Sequence, residues 1–203
     1  MYSLFVKRFL DIFISIIIMP FIVISVIVIA PFIFIEDRGP IFFNAERRGI
    51  KGKNFRMIKF RSMFVNAPDI RNSDNSTYNS NNDFRVTKTG KILRKTSLDE
   101  IPQFINVLKG DMSLIGPRPN MTSKPLNKLS DIEKKRITIR PGITGYNQAY
   151  YRNSISQDEK YKNDCYYVDN ISFTLDVKII FNTILSVVKA KNINNPSEKK
   201  VTK

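Results

Sequence analysis

The sequence predicts an α+β chain, mainly helical, built onto an apolar N-terminal helix. Three observations carry that reading. The 24 residues from Ile12 to Ile35 hold no charge, and as a helix they would run ~36 Å against a hydrocarbon core of ~30 Å. Two short apolar runs, Pro40-Ile-Phe-Phe43 and Phe55-Arg-Met-Ile-Lys-Phe60, flank the basic, turn-prone Arg47-Arg-Gly-Ile-Lys-Gly-Lys53, the pattern of a small β-hairpin. Helix signals then recur to the end of the chain, with no internal repeat. The expected divisions are residues 1–36 as the membrane element, 37–190 as a globular part with interfacial amphipathic helices, and 191–203 as a polar, disordered tail.

The apolar run is too long for a secretory signal and no small-residue cleavage site follows it. Pro20 stands near its middle, where it removes a helical hydrogen bond and crowds the Ile16 carbonyl. Lys7 and Arg8 precede the run, and Arg38, Arg47, Arg48, Lys51 and Lys53 follow it. With cations at both ends, the Lys/Arg bias picks no side. The residues therefore leave two arrangements open, one spanning helix or a re-entrant helix that breaks at Pro20 and returns to the same face.

Beyond the hairpin, residues 66–83 are dominated by Asn, Ser and Asp and read as a mobile loop. A central helix follows, with Ile101, Phe104, Ile105 and Leu108 as its apolar stripe and Gly110 as its stop. Pro102 is compatible only with its first turn, so Asp99 and Glu100 are expected at its N-terminal end. Ser130-Asp-Ile-Glu133 and Ser156-Gln-Asp-Glu159 read as two further helix starts. Ile171 to Ala190 reads as a helix on the core or in the membrane interface.

Composition narrows the chemistry. Lys and Arg number 33 against 18 Asp and Glu, a formal charge of +15, which suits nucleic acid, an anionic bilayer or polyanionic substrates. The absence of histidine removes imidazole bases and His metal ligands. The single cysteine, Cys165, allows no internal disulfide, and in its aromatic setting it reads as a small, inert core residue. Nucleophilic and acid–base work therefore falls on carboxylates.

The adjacent carboxylates Asp99 and Glu100 are the leading candidates. Ser97-Leu-Asp-Glu100 also has capping-box spacing, which recurs at Ser130 and Ser156, so spacing alone favours a structural cap. The neighbourhood points the other way: Arg94 lies just upstream, and Arg118 is held between Pro117 and Pro119. Paired acids beside fixed arginines suit a metal-bound, multiply charged phosphate. Gly110, Gly116 and Gly142 permit close backbone approach. Lys59 and Arg61 can equally face solvent or headgroups, and Arg140-Pro-Gly-Ile-Thr-Gly145 can be a structural turn or a ligand contact.

These blocks, taken in order, resemble the small bacterial monotopic phosphoglycosyl transferases, the bacterial sugar transferases. The resemblance covers nearly the whole chain, from Lys7-Arg-Phe-Leu-Asp11 through Ile58-Lys-Phe-Arg-Ser-Met63, Leu98-Asp-Glu100, Asn106-Val-Leu-Lys-Gly-Asp-Met-Ser113, Gly116-Pro-Arg-Pro119, Arg140-Pro-Gly-Ile-Thr-Gly145, Arg152-Asn153 and Tyr166-Tyr-Val168 to Leu175-Asp176. It implies transfer of a phosphosugar from a UDP-sugar to polyprenol (undecaprenyl) phosphate, with UMP release, at the cytoplasmic face of the bacterial inner membrane, initiating capsule, O-antigen or glycoconjugate assembly. It further implies that Asp99 is the nucleophile of a covalent aspartyl-phosphosugar intermediate, that Glu100 is its dyad partner, and that the two hold Mg²⁺. Lys59, Arg94, Arg118, Arg140 and Arg152 would bind substrate around them, with membrane lipids as the remaining partner. The family's membrane element is a re-entrant helix broken at a Ser-Pro pair. Here the pair is Met19-Pro20, with Ser15 a turn earlier as the nearest hydroxyl that could take the missing serine's place. The resemblance thereby favours the re-entrant arrangement and a cytoplasmic catalytic domain. Donor specificity is expected from loop residues such as Tyr150, Tyr151 and Asn153.

Two other classes of function remain. One is a membrane-tethered basic protein that binds nucleic acid or lipid without catalysis, although no nucleic-acid motif is recognisable. The other is a metal-dependent phosphodiesterase using the same acids with water as acceptor.

Overall fold

The structure is a computed structural model that describes residues 2–70, 78, 80, 82–152 and 154–188. The centre of the expected loop, Asn153 and the expected tail lie outside the described residues.

The apolar run forms α1, Lys7–Asp37, preceded by a π-helical turn at Tyr2–Val6. Its helical run continues through both Pro20 and Pro31. The helix is thus not unwound at Pro20: the proline forfeits one backbone bond and permits a bend in the axis while the turns on either side stay helical. Ser15 does not stand in for the missing serine either: it is fully buried and its hydroxyl has no hydrogen-bond partner. Phe13, Ile16, Ile17, Phe21, Val23, Ile24, Ile27 and Val28 are each more than half exposed, so α1 carries a large apolar surface of the kind that lipid covers. It is the one helix among the described residues long and apolar enough to cross a membrane.

Both ends of α1 are bonded to the rest of the chain. At the N-terminal end, Lys7 pairs with Asp176, Arg8 donates to the Val107 and Leu108 carbonyls, and Asp11 accepts from the Ser113 hydroxyl and the Leu114 N–H. At the C-terminal end, Asp37 pairs with Arg61 and Glu36 accepts from the Lys88 and Thr89 N–H groups.

The expected hairpin is present as β1, Phe42–Arg48, antiparallel to β2, Asn54–Phe60, with Phe42 opposite Phe60 and Arg48 opposite Asn54. Arg47 and Arg48, expected in the turn, extend β1 instead. The inward residues Ala45, Phe55 and Met57 pack on Val107 and Met112. Helix α2, Lys88–Thr96, was not foreseen. Its first turn is capped by the Thr87 hydroxyl and it ends at Ser97, whose φ of 58° is left-handed.

Asp99 and Glu100 lie on a 3₁₀ turn, Leu98–Glu100, and α3 begins only after Pro102, as Gln103–Lys109. The carboxylates therefore precede the central helix. The capping box expected at Ser97 does not form, because Ser97 in its left-handed conformation closes α2 and makes no side-chain cap. The face of α3 also differs from expectation. Gln103, Asn106 and Val107 are buried, while Phe104, Ile105 and Leu108 are half-buried. Asn106 accepts from the Ile58 N–H and donates to the Arg56 carbonyl, which binds α3 to β2 and gives a polar side chain its place in the core.

After Gly110, β3 (Ser113–Ile115) pairs in parallel with β4 (Gly142–Thr144). The capping boxes at Ser130 and Ser156 are both present, opening α4 (Asp131–Arg136) and α6 (Gln157–Asp169). Helix α5, Tyr146–Tyr150, fills the interval between β4 and α6, and α7 runs from Phe173 to Val188. On α7, Asp176 and Ile179 face inward, whereas Phe173, Val177, Ile180, Phe181, Ile184 and Val188 make one exposed apolar face, as expected of an interfacial helix. Cys165, expected in the core, is instead half-buried, with its sulfur 3.6 Å from the Ile132 carbonyl; desolvation raises its thiol, which disfavours the thiolate.

Candidate active site

The turn Leu98–Glu100 is held from both sides. Ser97 ends α2, and the Glu100 N–H returns to the Ser97 carbonyl at 3.2 Å. This geometry leaves the Asp99 side chain 7 % exposed and Glu100 half-buried.

Three cations converge on the pair from separate elements. Lys59, half-buried, comes from the end of β2, Arg94 from the last turn of α2, and Arg118 from the Pro-Arg-Pro loop after β3. Burial and the neighbouring Glu100 carboxylate push the Asp99 carboxyl up to about 6, against the pull of Lys59, Arg94 and Arg118. Burial lowers the Lys59 ammonium, with Arg118 and Arg94 acting in the same direction and Asp99 and Glu100 opposing. The Arg118 guanidinium lies 3.9 Å from Glu100 and is more than half exposed, so it is a loose pair with room to turn toward a ligand.

Each arginine is positioned differently. The Arg94 Nε donates to the Ser62 hydroxyl at 2.9 Å. Arg152 donates to the Ser97 hydroxyl at 3.2 Å and feels the Glu100 charge. Arg152 also has a left-handed backbone, with φ of 52°, a conformation that costs free energy in a non-glycine residue and is held here by its N–H bond to the Asn147 carbonyl. Arg118 is set by its backbone: its carbonyl accepts from Arg136, and the Pro117 carbonyl accepts from the Gly142 N–H at 3.0 Å. Arg136 is itself buried, paired with Asp164 at 2.7 Å and stacked over Tyr161.

Of the residues singled out from sequence, Asp99, Glu100, Lys59, Arg94, Arg118 and Arg152 come together. Arg140 does not join them. Its Nε donates to the Gly110 carbonyl at 3.0 Å, beside Arg8, so two arginines serve the exposed carbonyls at the end of α3. The block following it reads as structure: added Cβ atoms at Gly116 and Gly142 would lie 2.4 Å from the Arg140 carbonyl and 2.1 Å from the Gly116 nitrogen, because the parallel strands meet backbone to backbone. Ser62 and Arg136 were not singled out. Ser62 lies in the Ile58–Met63 block; no feature in the sequence separates Arg136 from the other cations of α4.

The donors available to a cation at this site are Asp99 and Glu100, and no group of three or more His, Cys, Asp or Glu side chains gathers among the described residues. Two carboxylates fit a magnesium ion that takes its remaining oxygens from substrate phosphates and water.

A family model described as bacterial sugar transferase matches residues 2–190. An uncharacterized sugar transferase of Bacillus subtilis is 43 % identical over 155 residues, 76 % of this chain and 73 % of that one. A UDP-N-acetylgalactosamine-undecaprenyl-phosphate N-acetylgalactosaminephosphotransferase of Aeromonas hydrophila is 38 % identical over 91 % of this chain but 44 % of its own length. A UDP-glucose:undecaprenyl-phosphate glucose-1-phosphate transferase of Klebsiella pneumoniae is 41 % identical over 88 % of this chain and 39 % of its own. The chain thus spans less than half the length of these last two relatives.

Proposed function

This chain belongs to the bacterial sugar transferase family, and on that premise we propose that it transfers a sugar 1-phosphate from a UDP-sugar to undecaprenyl phosphate, releasing UMP. The observation that carries the reading is the gathering of Lys59, Arg94 and Arg118 around a buried Asp99 and its neighbour Glu100. Such a site matches a nucleotide diphosphate in charge and offers a carboxylate nucleophile without a histidine.

In this reading an Asp99 carboxylate oxygen attacks the β-phosphorus of the donor. As that O–P bond forms, the bond from the β-phosphorus to the bridging oxygen breaks and UMP leaves with the electron pair. A phosphate oxygen of undecaprenyl phosphate then attacks the same phosphorus, the Asp99–phosphorus bond breaks, and the carboxylate is restored. Lys59 and Arg94 offset charge on the transferring phosphoryl group, and Arg118 turns from Glu100 onto it. Arg152, through Ser97, steadies the turn that carries both acids. Asp99 and Glu100 would hold the magnesium ion, which neutralises and polarises the diphosphate when bound.

Both ends of α1 bond to one body, which supports a re-entrant helix whose ends share the cytoplasmic face. The exposed apolar face of α7 supports a catalytic domain seated on that surface.

The test is UMP release by the full chain in detergent from a panel of UDP-sugars, with and without Mg²⁺ and undecaprenyl phosphate. The expected result is release with at least one donor that requires both additions, and a loss of about 10³-fold or more in Asp99→Asn. Wild-type turnover by that variant would remove the nucleophile assignment. Sugar phosphate freed without lipid would instead favour hydrolysis, and salt-sensitive nucleic-acid binding without any UMP release would favour the non-catalytic reading.

A further inference from the structure

The last turn of α1 reaches the candidate site through α2. The two Glu36 carboxylate oxygens accept from the Lys88 N–H and, at 3.0 Å, the Thr89 N–H. The Thr87 hydroxyl takes the next donor, the Gly90 N–H, at 2.9 Å. The first three N–H groups of α2 are therefore all capped, two of them by a residue of the apolar helix. A carboxylate at a helix N-terminus is favoured by both hydrogen bonding and the helix dipole. A helix of nine residues is marginal by itself, so its caps and packing decide its placement.

The same turn also fixes what the other end of α2 touches. Arg61 is 6 % exposed and donates to Asp37 at 2.5 Å, to the Pro40 carbonyl at 2.7 Å and to the Ile33 carbonyl at 3.3 Å. Its neighbour Ser62 receives the Arg94 Nε, and the Ser62 carbonyl accepts from the Thr87 N–H at 3.2 Å. Ile33 of α1, Phe60 of β2 and Leu93 of α2 share one buried cluster. A Cβ at Gly90 would stand 2.0 Å from the Ser62 carbonyl oxygen, so the first turn of α2 is pressed onto that strand end. Helix α2 cannot slide or roll without breaking contacts that originate at residues 33–37.

We propose that Glu36 is a positioning residue for the catalytic site: by capping α2 it sets the placement of Arg94 beside Asp99. Seating of the membrane helix and assembly of the phosphate-binding site are then one structural event. The activity readout rests on the transferase reading above, whereas the exchange readout is independent of it.

The experiment uses the full chain in detergent or nanodiscs, as wild type, Glu36→Ala, Glu36→Gln, Arg94→Ala and the double variant Glu36→Ala/Arg94→Ala. Hydrogen exchange is followed over residues 87–97, with α6 as internal reference. Glu36→Ala should accelerate exchange over 87–97 about five- to tenfold and leave α6 unchanged, and Glu36→Gln, which keeps one acceptor oxygen, should lie between. In UMP release, kcat/KM should fall about tenfold in Glu36→Ala and be partly rescued in Glu36→Gln. The double variant should be no slower than Arg94→Ala alone, since a purely structural role would multiply the two losses. Unchanged exchange over 87–97, equal acceleration in α6, or multiplicative losses would each overturn the proposal. If the wild type releases no UMP from any donor, the transferase reading fails and the exchange pattern alone decides the role of Glu36.

Discussion

Replacing Asp176 by alanine should cost about 4 kcal/mol of folding stability, and the structure shows where that figure arises. Asp176 is 3 % exposed, and its carboxylate accepts from Lys7 Nζ at 2.6 Å, the Tyr2 hydroxyl at 2.6 Å and the Tyr167 hydroxyl at 2.7 Å. The Lys7 side chain is itself only 11 % exposed. Removing one member of such a buried pair strands the other charge, at about 3–5 kcal/mol. Each hydroxyl bond to a charged acceptor would add ~1.5–3 kcal/mol if counted alone. The same desolvation enters all three terms, however, and water admitted to the vacated space recovers part of it, so the range for the pair bounds the whole. Against a total stability of about 5–15 kcal/mol the loss is large. Urea unfolding of the detergent-solubilised protein measures it, with a double-mutant cycle against Lys7→Met. Because the cost is mainly a stranded ammonium, Lys7→Met in the Asp176→Ala background should recover at least about 1 kcal/mol. A loss below about 1 kcal/mol for Asp176→Ala, or a further loss on adding Lys7→Met, would refute the reasoning.

Four further outcomes are expected. Arg118→Ala should lower kcat/KM for the UDP-sugar about 10²-fold in UMP release, the usual scale for a donor aimed at developing charge; Arg140→Ala should show chiefly as about 1 kcal/mol of lost stability in thermal unfolding, through its bond to the Gly110 carbonyl. Gly142→Ala should cost about 1–3 kcal/mol or more in the same assay and depress turnover as well, since its Cβ would stand 2.1 Å from the Gly116 nitrogen and displace the loop carrying Arg118. At Glu133 burial works against ionisation, but bonds from Lys124 and Ser130 hold its carboxyl below the ordinary value of 4.5. Its folded value is depressed, so the stability it contributes is fully present above pH 4.5 and is lost as pH falls through the folded value. The gap in Tm between wild type and Glu133→Gln should therefore narrow on acidification below that point, and a constant gap would contradict the assignment.

What could be read from the sequence was local. The apolar run of α1, the hairpin and the boxes at Ser130 and Ser156 depend on neighbours within a few residues, and all are present. The box at Ser97 had the same letters and failed, because the chain there is closing α2 in a left-handed conformation, which one sequence cannot reveal. Helix α2 escaped notice because only Gly90 and Leu93 of its nine residues are buried and part of its N-terminal capping comes from Glu36, 52 positions before Lys88. The stripe on α3 was misjudged because a buried asparagine, satisfied by the backbone of β2, took a place that periodicity reserves for apolar residues. At the site, adjacency made Asp99 and Glu100 conspicuous and the flanking prolines marked Arg118, whereas the approach of Lys59 is tertiary and entered through the family resemblance. Arg140 belonged to an equally prominent block, yet the parallel pairing of β3 with β4 carries it to the far end of α3.

The blocks that resemble the family divide by what they do in this fold, and the division bears on how the helix sits. Lys7, Arg8, Asp11 and Asp176 do not face the carboxylate pair; they fasten the start of α1 to α7, the end of α3 and β3. Arg61 and Ser62, from the Ile58–Met63 block, fasten its end and hold Arg94. A straight helix of 31 residues would put those two sets of anchors ~46 Å apart. In a spanning arrangement a hydrocarbon core of ~30 Å would separate them. The ion pairs at both ends would then draw polar backbone and charged side chains of one domain to opposite faces of the bilayer, at several kcal/mol for each unsatisfied group passing through the core. Returning the chain to the face it left avoids that cost while keeping the exposed apolar flank of α1 in lipid. The anchoring residues, more than Pro20 alone, are therefore the physical argument for the re-entrant arrangement proposed above.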